Sequence, residues 1–337
     1  MDWGSIREKA KRKLEGYCRI CVKCDGRRCA GEVPGMGGAG TGKSFINNVN
    51  ALEEIKINLR TVHTAKDPDT AAEIFGQKLA LPVMAAPMTG VSYNMGGGMS
   101  EREFLDYIVE GSLAAGTFGM TGDGADPAMY DSGIGAVKDS DGRGVPVIKP
   151  REQDEVLKYL AKAEEIKPLA VGMDVDGAGL VTMALKGQPV GPKSIDELKE
   201  IIGSTELPFI LKGIMTPDEA LKAVEVGAKA IVVSNHGGRV LDYTPGVAEV
   251  LPEIAAAVGG EITILADGGV RSGMDVLKYI ALGAHGVLVG RPLVIAAYGG
   301  GAEGVKIYME KLRSELFQAM ILTGCKTVND IDKKILA

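Results

Sequence analysis

The sequence predicts a (β/α)8 TIM barrel with an irregular N-terminal extension. Three observations carry that prediction. From residue 80 onward, eight short apolar runs alternate with amphipathic stretches, and parallel strands covered by helices read as near-continuous apolar runs of this kind. The 337 residues, 45% of them hydrophobic, suit one barrel with a sizeable core. The later runs end in polar, glycine-rich segments, which is where a barrel carries its chemistry. A doubly wound open sheet is the alternative architecture.

In chain order, residues 1–50 stand outside the alternation and read as a cysteine- and glycine-rich extension, and residues 51–337 as the barrel domain. The runs are LPVMAA (81–86), TFGMT (117–121), VPVI (145–148), LAVGMDV (169–175), LPFIL (207–211), AIVVS (230–234), ITILA (262–266) and GVLVG (286–290). The best-marked helix lies in TPDEALKAVEVGA. Thr216 is its N-cap, Pro217 its first residue, Glu219 the partner in a capping box, and Gly227 its stop.

The net charge of −6 argues against nucleic acid or an anionic membrane as the main partner. No apolar run reaches the ~18 residues that span a bilayer, and the first residues, MDWGSIREKAKRKLEGY, contain no apolar signal core. The expectation is a cytoplasmic protein without a membrane span. Four of the five cysteines crowd into positions 18–29, which in a reducing compartment favours metal or redox chemistry over disulfides. Cys18, Cys21, Cys24 and Cys29 form C-x2-C-x2-C-x4-C. Four thiolates so spaced could hold a 4Fe-4S cluster or a zinc ion; the other reading is four reduced, solvent-facing thiols.

Residues 37–44, GGAGTGKS, match the phosphate-cradling loop of nucleotide hydrolases. A genuine loop of that kind follows a buried strand and opens a helix. The preceding RRCAGEVPGM contains no strand, and SFINNVNAL is a poor helix start. The match therefore reads as a connecting loop.

The chemistry is expected at the ends of the last four strands. Lys212 ends the fifth. SNHGGRVLD after the sixth brings together Ser234, Asn235, His236 and Arg239. ADGGVRSG and VGRP after the seventh and eighth combine glycines with Arg271 and Arg291, a combination suited to a phosphate. His236, between Asn235 and two glycines, suits acid/base work; His63 and His285 read as structural.

SNHGGRVLD, LADGGVRSGMDVLKYIALGAHGVLVGRP and LKGIMTPDEA resemble the FMN-dependent 2-hydroxy-acid oxidase and dehydrogenase family, which includes glycolate oxidase, lactate oxidase and flavocytochrome-type lactate dehydrogenase. The resemblance is dense over residues 205–325, thinner over 50–204 and nearly absent before 50. It implies a bound FMN. It matches Lys212 to the lysine beside the flavin ring, Ser234 to a flavin-contacting hydroxyl, His236 to the catalytic base and Arg239 to the clamp on the substrate carboxylate. Asp267, Gly269 and Arg271, with Gly290 and Arg291, match the ribityl-phosphate site. Asp176, in GMDVDGAG, matches the carboxylate that supports the histidine. Pro87, Met88 and Thr89 match backbone facing the flavin, and Thr117 is placed near a ring-contacting position. Residues 35–42 are expected to lie over the flavin as a lid.

The chain departs from the family on the substrate side. Pro34 stands near the family's N-terminal carboxylate-binding tyrosine, Ile148 or Lys149 stands where a second tyrosine ends the third strand, and Met183 stands near a second arginine. Lys149 is either a substitute cation or a solvated strand-end lysine. The expected function is oxidation of a 2-hydroxy acid, lactate-like or larger, to a 2-oxo acid. The alternatives are an isomerase or reductase that uses reduced FMN, similar to type 2 isopentenyl-diphosphate isomerase, and a non-enzymatic flavin- or metal-binding module. Expected partners are a small carboxylate substrate, an electron-carrier protein if the cysteines hold a cluster and, by analogy with the family, further copies in a homo-oligomer.

Overall fold

The computed structural model describes all 337 residues. A hairpin of β1 (Ala72–Ile74) and β2 (Gln77–Leu79) is followed by β3 (Val83–Met88), β4 (Gly119–Gly122), β5 (Gly144–Ile148), β6 (Val171–Asp174), β7 (Phe209–Ile214), β8 (Ala230–Val233), β9 (Thr263–Ala266) and β10 (Gly286–Val289). β3 to β10 form a closed parallel barrel, with β10 pairing back onto β3. Each barrel strand overlaps one of the eight apolar runs.

The helices are α1 (Trp3–Lys13), α2 (Lys43–Glu54), α3 (Val91–Asn94), α4 (Glu101–Ala114), α5 (Pro127–Asp139), α6 (Gln153–Glu165), α7 (Val181–Leu185), α8 (Ile195–Gly203), α9 (Pro217–Glu225), α10 (Val247–Val258), α11 (Gly273–Ala281) and α12 (Arg291–Thr323, interrupted at Gly301). None is long and apolar enough to cross a membrane.

Alternation along each strand divides the core. Met84, Phe118, Met120, Val145, Val147, Ile210, Val232, Leu265 and Leu288 fill the barrel interior, and Ile74 and Leu79 of the hairpin join them from below. The intervening residues, such as Val83, Met173, Leu211, Ile231 and Val287, face outward into the larger core shared with the helices. This is the period-two geometry of a strand buried on both faces.

α9 starts as expected, with Thr216 as N-cap and Pro217 first, and Gly227 follows its C-cap at φ +87°. The capping box does not form, because the Thr216 side chain makes no capping hydrogen bond. Such boxes close instead at Ser194/Glu197 and Ser272/Asp275.

The extension is not a separate unit, and a boundary at residue 50 falls inside α2. α1 lies along α12, with Ile6 and Ala10 buried and the Trp3 ring 4.7 Å from that of Tyr308. Gly299 allows this approach, since a Cβ there would lie 2.1 Å from the Ile6 carbonyl oxygen. The poor helix start at SFINNVNAL is likewise overturned: α2 begins at Lys43. Tertiary structure supplies the missing cap. The Asp242 carboxylate accepts from the amides of Thr41, Lys43 (2.9 Å) and Ser44 (3.4 Å) and from the Thr41 hydroxyl (2.8 Å). The glycine-rich loop has its nest of amides at a helix N-terminus, but the anion in it belongs to this chain. No strand precedes the loop.

Two substitutions separate these readings. Asp242→Ala should lower the stability to urea by about 1–2 kcal/mol, the cost of a lost helix cap. Lys43→Ala, at an exposed side chain, should change neither stability nor flavin content, and ATP should not raise the melting temperature of the unmodified protein.

Candidate active site

Continuing the inward alternation one step beyond the apolar interior reaches polar side chains at five strand ends: four charged, Lys149, Asp174, Lys212 and Asp267, and one hydroxyl, Ser234. All five are buried. Register sets neighbours side by side, since Asp174 pairs with Lys212 across β6 and β7. The Asp174 carboxylate takes Lys149 Nζ at 2.6 Å and Lys212 Nζ at 2.9 Å, and Asp267 lies 3.9 Å from Lys212 Nζ. Burial pushes Asp174 up, but the two ammonium groups outweigh it and hold the carboxyl well below its usual range. Burial opposes the charge on Lys212, yet the surrounding carboxylates raise it well above an ordinary lysine. Burial raises Asp267, with Lys212 only partly compensating. Lys149 is thus a buried, paired cation on the cavity wall, and the solvated strand-end reading is excluded.

His236 sits in the loop after β8 with φ +57°, a left-handed conformation costing roughly 1–2 kcal/mol in a non-glycine residue. Its amide donates to Ser234 Oγ, and its Nδ1 lies 3.0 Å from Asp176 Oδ1. Gly213, at φ +106°, makes room for that carboxylate, since a Cβ there would lie 2.6 Å from the Asp176 side chain. The bond to Asp176 places the proton on Nδ1 and leaves Nε2 as the basic nitrogen. The neighbouring carboxylate alone favours imidazolium. Burial, helped by Lys212 and Lys149, wins, and the histidine titrates below its ordinary value of 6.5.

Around this centre, Pro87, Met88, Thr89, Lys149, Lys212, His236, Arg239, Asp267, Gly269, Arg271, Gly290 and Arg291 line one cavity at the C-terminal rim; of the expected lid, residues 35–42, only Gly35 and Met36 line it. At the β9 end, the amides of Gly268, Gly269 and Val270 donate to nothing in the chain, and α12 starts at Arg291 beside them. Arg239, Arg271 and Arg291 are partly buried, and none takes part in an ion pair. Burial lowers Arg239 to about 10 and, with repulsion from Arg239, lowers Arg291 to about 9. Free amides, a helix N-terminus and unpaired guanidiniums together demand an anion.

The guanidiniums are partly occupied by the extension. Arg291 donates from Nε to the Met36 carbonyl and from Nη2 to that of Gly37, both at 2.7 Å, and stacks 3.8 Å above the Phe45 ring. Arg271 reaches Cys24. Arg239 donates from Nη1 to Gly35 and Gly37 and from Nη2 to Asn94, which leaves Nε–H and one Nη2–H for a ligand.

Two predicted contacts are corrected. Thr117 lies before β4, at the closed end of the barrel; its hydroxyl donates to the Val83 carbonyl, and its strand parity points it outward, away from the cavity. Ser234 is fully buried beneath His236 and does not line the cavity, so its part is to hold the histidine backbone. The four cysteines are not drawn together as closely as a single zinc ion would hold them. A tetrahedral thiolate site needs sulfurs ~3.8 Å apart. The one triad of His, Cys, Asp or Glu ligand atoms within 4.8 Å of one another is Asp174, Asp176 and His236, and there two lysines take the place of a cation.

Sequence reasoning missed four contributors. Tyr93, on α3, lines the cavity with its hydroxyl 3.5 Å from Met129 Sδ, and Asn94 anchors Arg239. Asp123 and Arg151 form a buried bidentate pair, both bonds 2.8 Å, and Asp123 also accepts the Lys149 amide. The signal for the pair was an Asp and an Arg just past adjacent strand ends. His63 and His285 are structural as expected, bonded to local backbone.

A rim that seeks an anion at β9 and β10 and carries a neutral, carboxylate-supported histidine at β8 defines a barrel enzyme working with a phosphorylated cofactor. The chain belongs to the FMN-dependent dehydrogenase family, whose model matches residues 35–181 and 181–337. It is 32% identical to an L-lactate oxidase of Nostoc over 89% of this chain and 92% of that protein. A peroxisomal (S)-2-hydroxyacid oxidase of Arabidopsis thaliana is 49% identical over a shorter stretch, 42% of this chain and 38% of the relative. Among solved structures, mandelate oxidase crystallised with 3,3-difluoro-2-hydroxy-3-phenylpropionic acid superposes with a TM-score of 0.80 at 30% identity, covering all of this chain and 98% of the other. FMN fits the residues present: the free amides and unpaired arginines would receive its phosphate, and Lys212 would present a fixed cation to its ring.

The buried pairing of Lys149 has a measurable cost of removal. Lys149→Met should destabilise the protein by about 3 kcal/mol, because Asp174 keeps only one of two cations. A solvated lysine would cost under ~0.5 kcal/mol. Urea denaturation of both proteins decides.

Proposed function

We propose that this protein oxidises a 2-hydroxy acid to the 2-oxo acid, with FMN as the immediate electron acceptor. The observation that carries the reading is His236 held neutral beside Asp176, in the same cavity as an arginine with two free N–H groups. Bound FMN supplies the two-electron acceptor. His236 Nε2 takes the proton as two electrons and the second hydrogen leave the substrate. Asp176 receives the Nδ1 hydrogen bond and stabilises the imidazolium that results. Arg239 grips the substrate carboxylate through Nε and Nη2. Lys149 and the Tyr93 hydroxyl stand in for the polar partners that the family places elsewhere. Lys212, permanently charged, stabilises negative charge gained by the flavin.

Leu180 and Met183, from the segment after β6, give the cavity an apolar side. This supports a substrate with a hydrocarbon substituent, lactate-like or larger. The relatives named as lactate, 2-hydroxyacid and mandelate oxidases favour oxidation over the isomerase alternative. Reoxidation falls to dioxygen or to an electron-carrier protein, and a metal centre in the extension would favour the carrier.

Mixing the protein without oxygen with lactate, mandelate and longer 2-hydroxy acids should bleach the flavin absorbance with at least one of them; failure with all would overturn the reading. His236→Gln should slow bleaching by about 10²–10⁴-fold. Because Nε2 must be unprotonated, the rate should rise with pH and reach half its plateau below pH 6.5, the ordinary histidine value. Asp176→Asn removes the main upward pull on that histidine, so it should move the half-point lower still while reducing the plateau.

A further inference from the structure

We propose that the cavity between the extension and the barrel is a binding site for a 4Fe-4S cluster, held by Cys18, Cys21, Cys24 and Cys29. The inference rests on the extension and does not depend on which substrate the flavin site takes. All four cysteines of the C-x2-C-x2-C-x4-C segment line one cavity of about 440 Å³. None of them is in a disulfide, and all are partly buried. They are therefore unpaired thiols with limited exposure to solvent.

Geometry distinguishes the kinds of metal centre. A single ion pulls its sulfurs into a tetrahedron with edges of ~3.8 Å, and these thiols are not gathered so tightly. A cubane carries one thiolate on each of four irons, so its sulfurs stand much farther apart and surround a volume rather than a point. Thiols spread around an open cavity suit the second arrangement.

The surroundings suit it electrostatically. A cluster with four thiolates is an anion, and Arg7, Arg271 and Arg291 line the same cavity. Arg7 Nη2 donates to the carbonyls of Ile20 and Cys21 and so fixes the cysteine loop. Arg271 Nη2 lies 3.3 Å from Cys24 Sγ, and its Nε is a buried donor without a partner. Trp3, Phe45 and Tyr308 close the apolar side, and solvent exclusion with hydrogen bonds to sulfur is what tunes such clusters. Met36, Gly269, Arg271 and Arg291 line both this cavity and the flavin cavity, so the cluster would sit across a shared wall from the flavin site.

The test uses the full chain, purified without oxygen and reconstituted with ferrous iron and sulfide, then desalted. Expected are iron and acid-labile sulfide each near four per chain, a broad visible absorption beyond that of flavin, and a low-temperature paramagnetic signal after dithionite. Cys21→Ser and Cys29→Ser should each lower bound iron at least fivefold while leaving acid-extracted FMN and far-ultraviolet circular dichroism unchanged. Cys325→Ser should keep the iron. Less than about one iron per chain in the unmodified protein, stoichiometric zinc in place of iron, or cysteine variants that retain full iron would each overturn the proposal. The unmodified protein decides even if a variant fails to fold. Separate extraction of FMN keeps the outcome distinct from failure of the flavin reading.

Discussion

Three guanidinium groups without carboxylate partners impose the main constraint on this molecule. Arg239, Arg271 and Arg291 converge on the rim between β8 and the start of α12, where burial already pulls two of them toward losing their charge. Positive charge enclosed without a counterion is costly, and a fold keeps it where an anion returns the energy on binding. Carbonyls of the extension cover part of the cost: Gly35 accepts from Arg239, Met36 from Arg291, and Gly37 from both. The remaining donors face the cavity, with the free amides of the β9 loop beside them. The extension thus belongs to the site.

The barrel interior answers a different demand. Lys149 and Lys212 share Asp174, and Asp123 ties Arg151 to the next strand. These pairs stiffen the floor of the cavity and fix Lys149 and Lys212 in its wall, below the rim arginines. The separation also explains why His236 can stay neutral. It is buried above two ammonium groups that oppose its protonation, and together these outweigh the upward pull of Asp176, which holds the neutral ring through Nδ1.

Much of this was legible in the sequence, for definite reasons. Parallel strands buried on both faces leave uninterrupted apolar runs, so all eight barrel strands could be placed. Polar residues clustered where an apolar run ends mark the functional rim of a barrel, which exposed Lys212, His236, Arg239 and the two glycine–arginine turns. What escaped depends on partners remote in the chain. Asp174 and Lys149 become a pair only when β5 and β6 lie in register. α2 looked like a weak helix because its cap, Asp242, is some 200 residues away. Thr117 was placed on the wrong end of its strand because a short apolar run does not mark where its pairing begins, and parity then reversed its direction. Tyr93 carries no motif; only the position of α3 beside β3 brings it to the cavity.

The clasp between Asp242 and the glycine-rich loop has a wider consequence. The loop that carries Asp242 also carries His236 and Arg239, so the extension and the reacting groups hang from one short piece of backbone. By thermodynamic reciprocity, whatever free energy the closed cover adds to ligand retention, an occupied cavity adds to the cover's protection from cleavage. Trimming the first forty residues would consequently alter affinity as well as remove sequence.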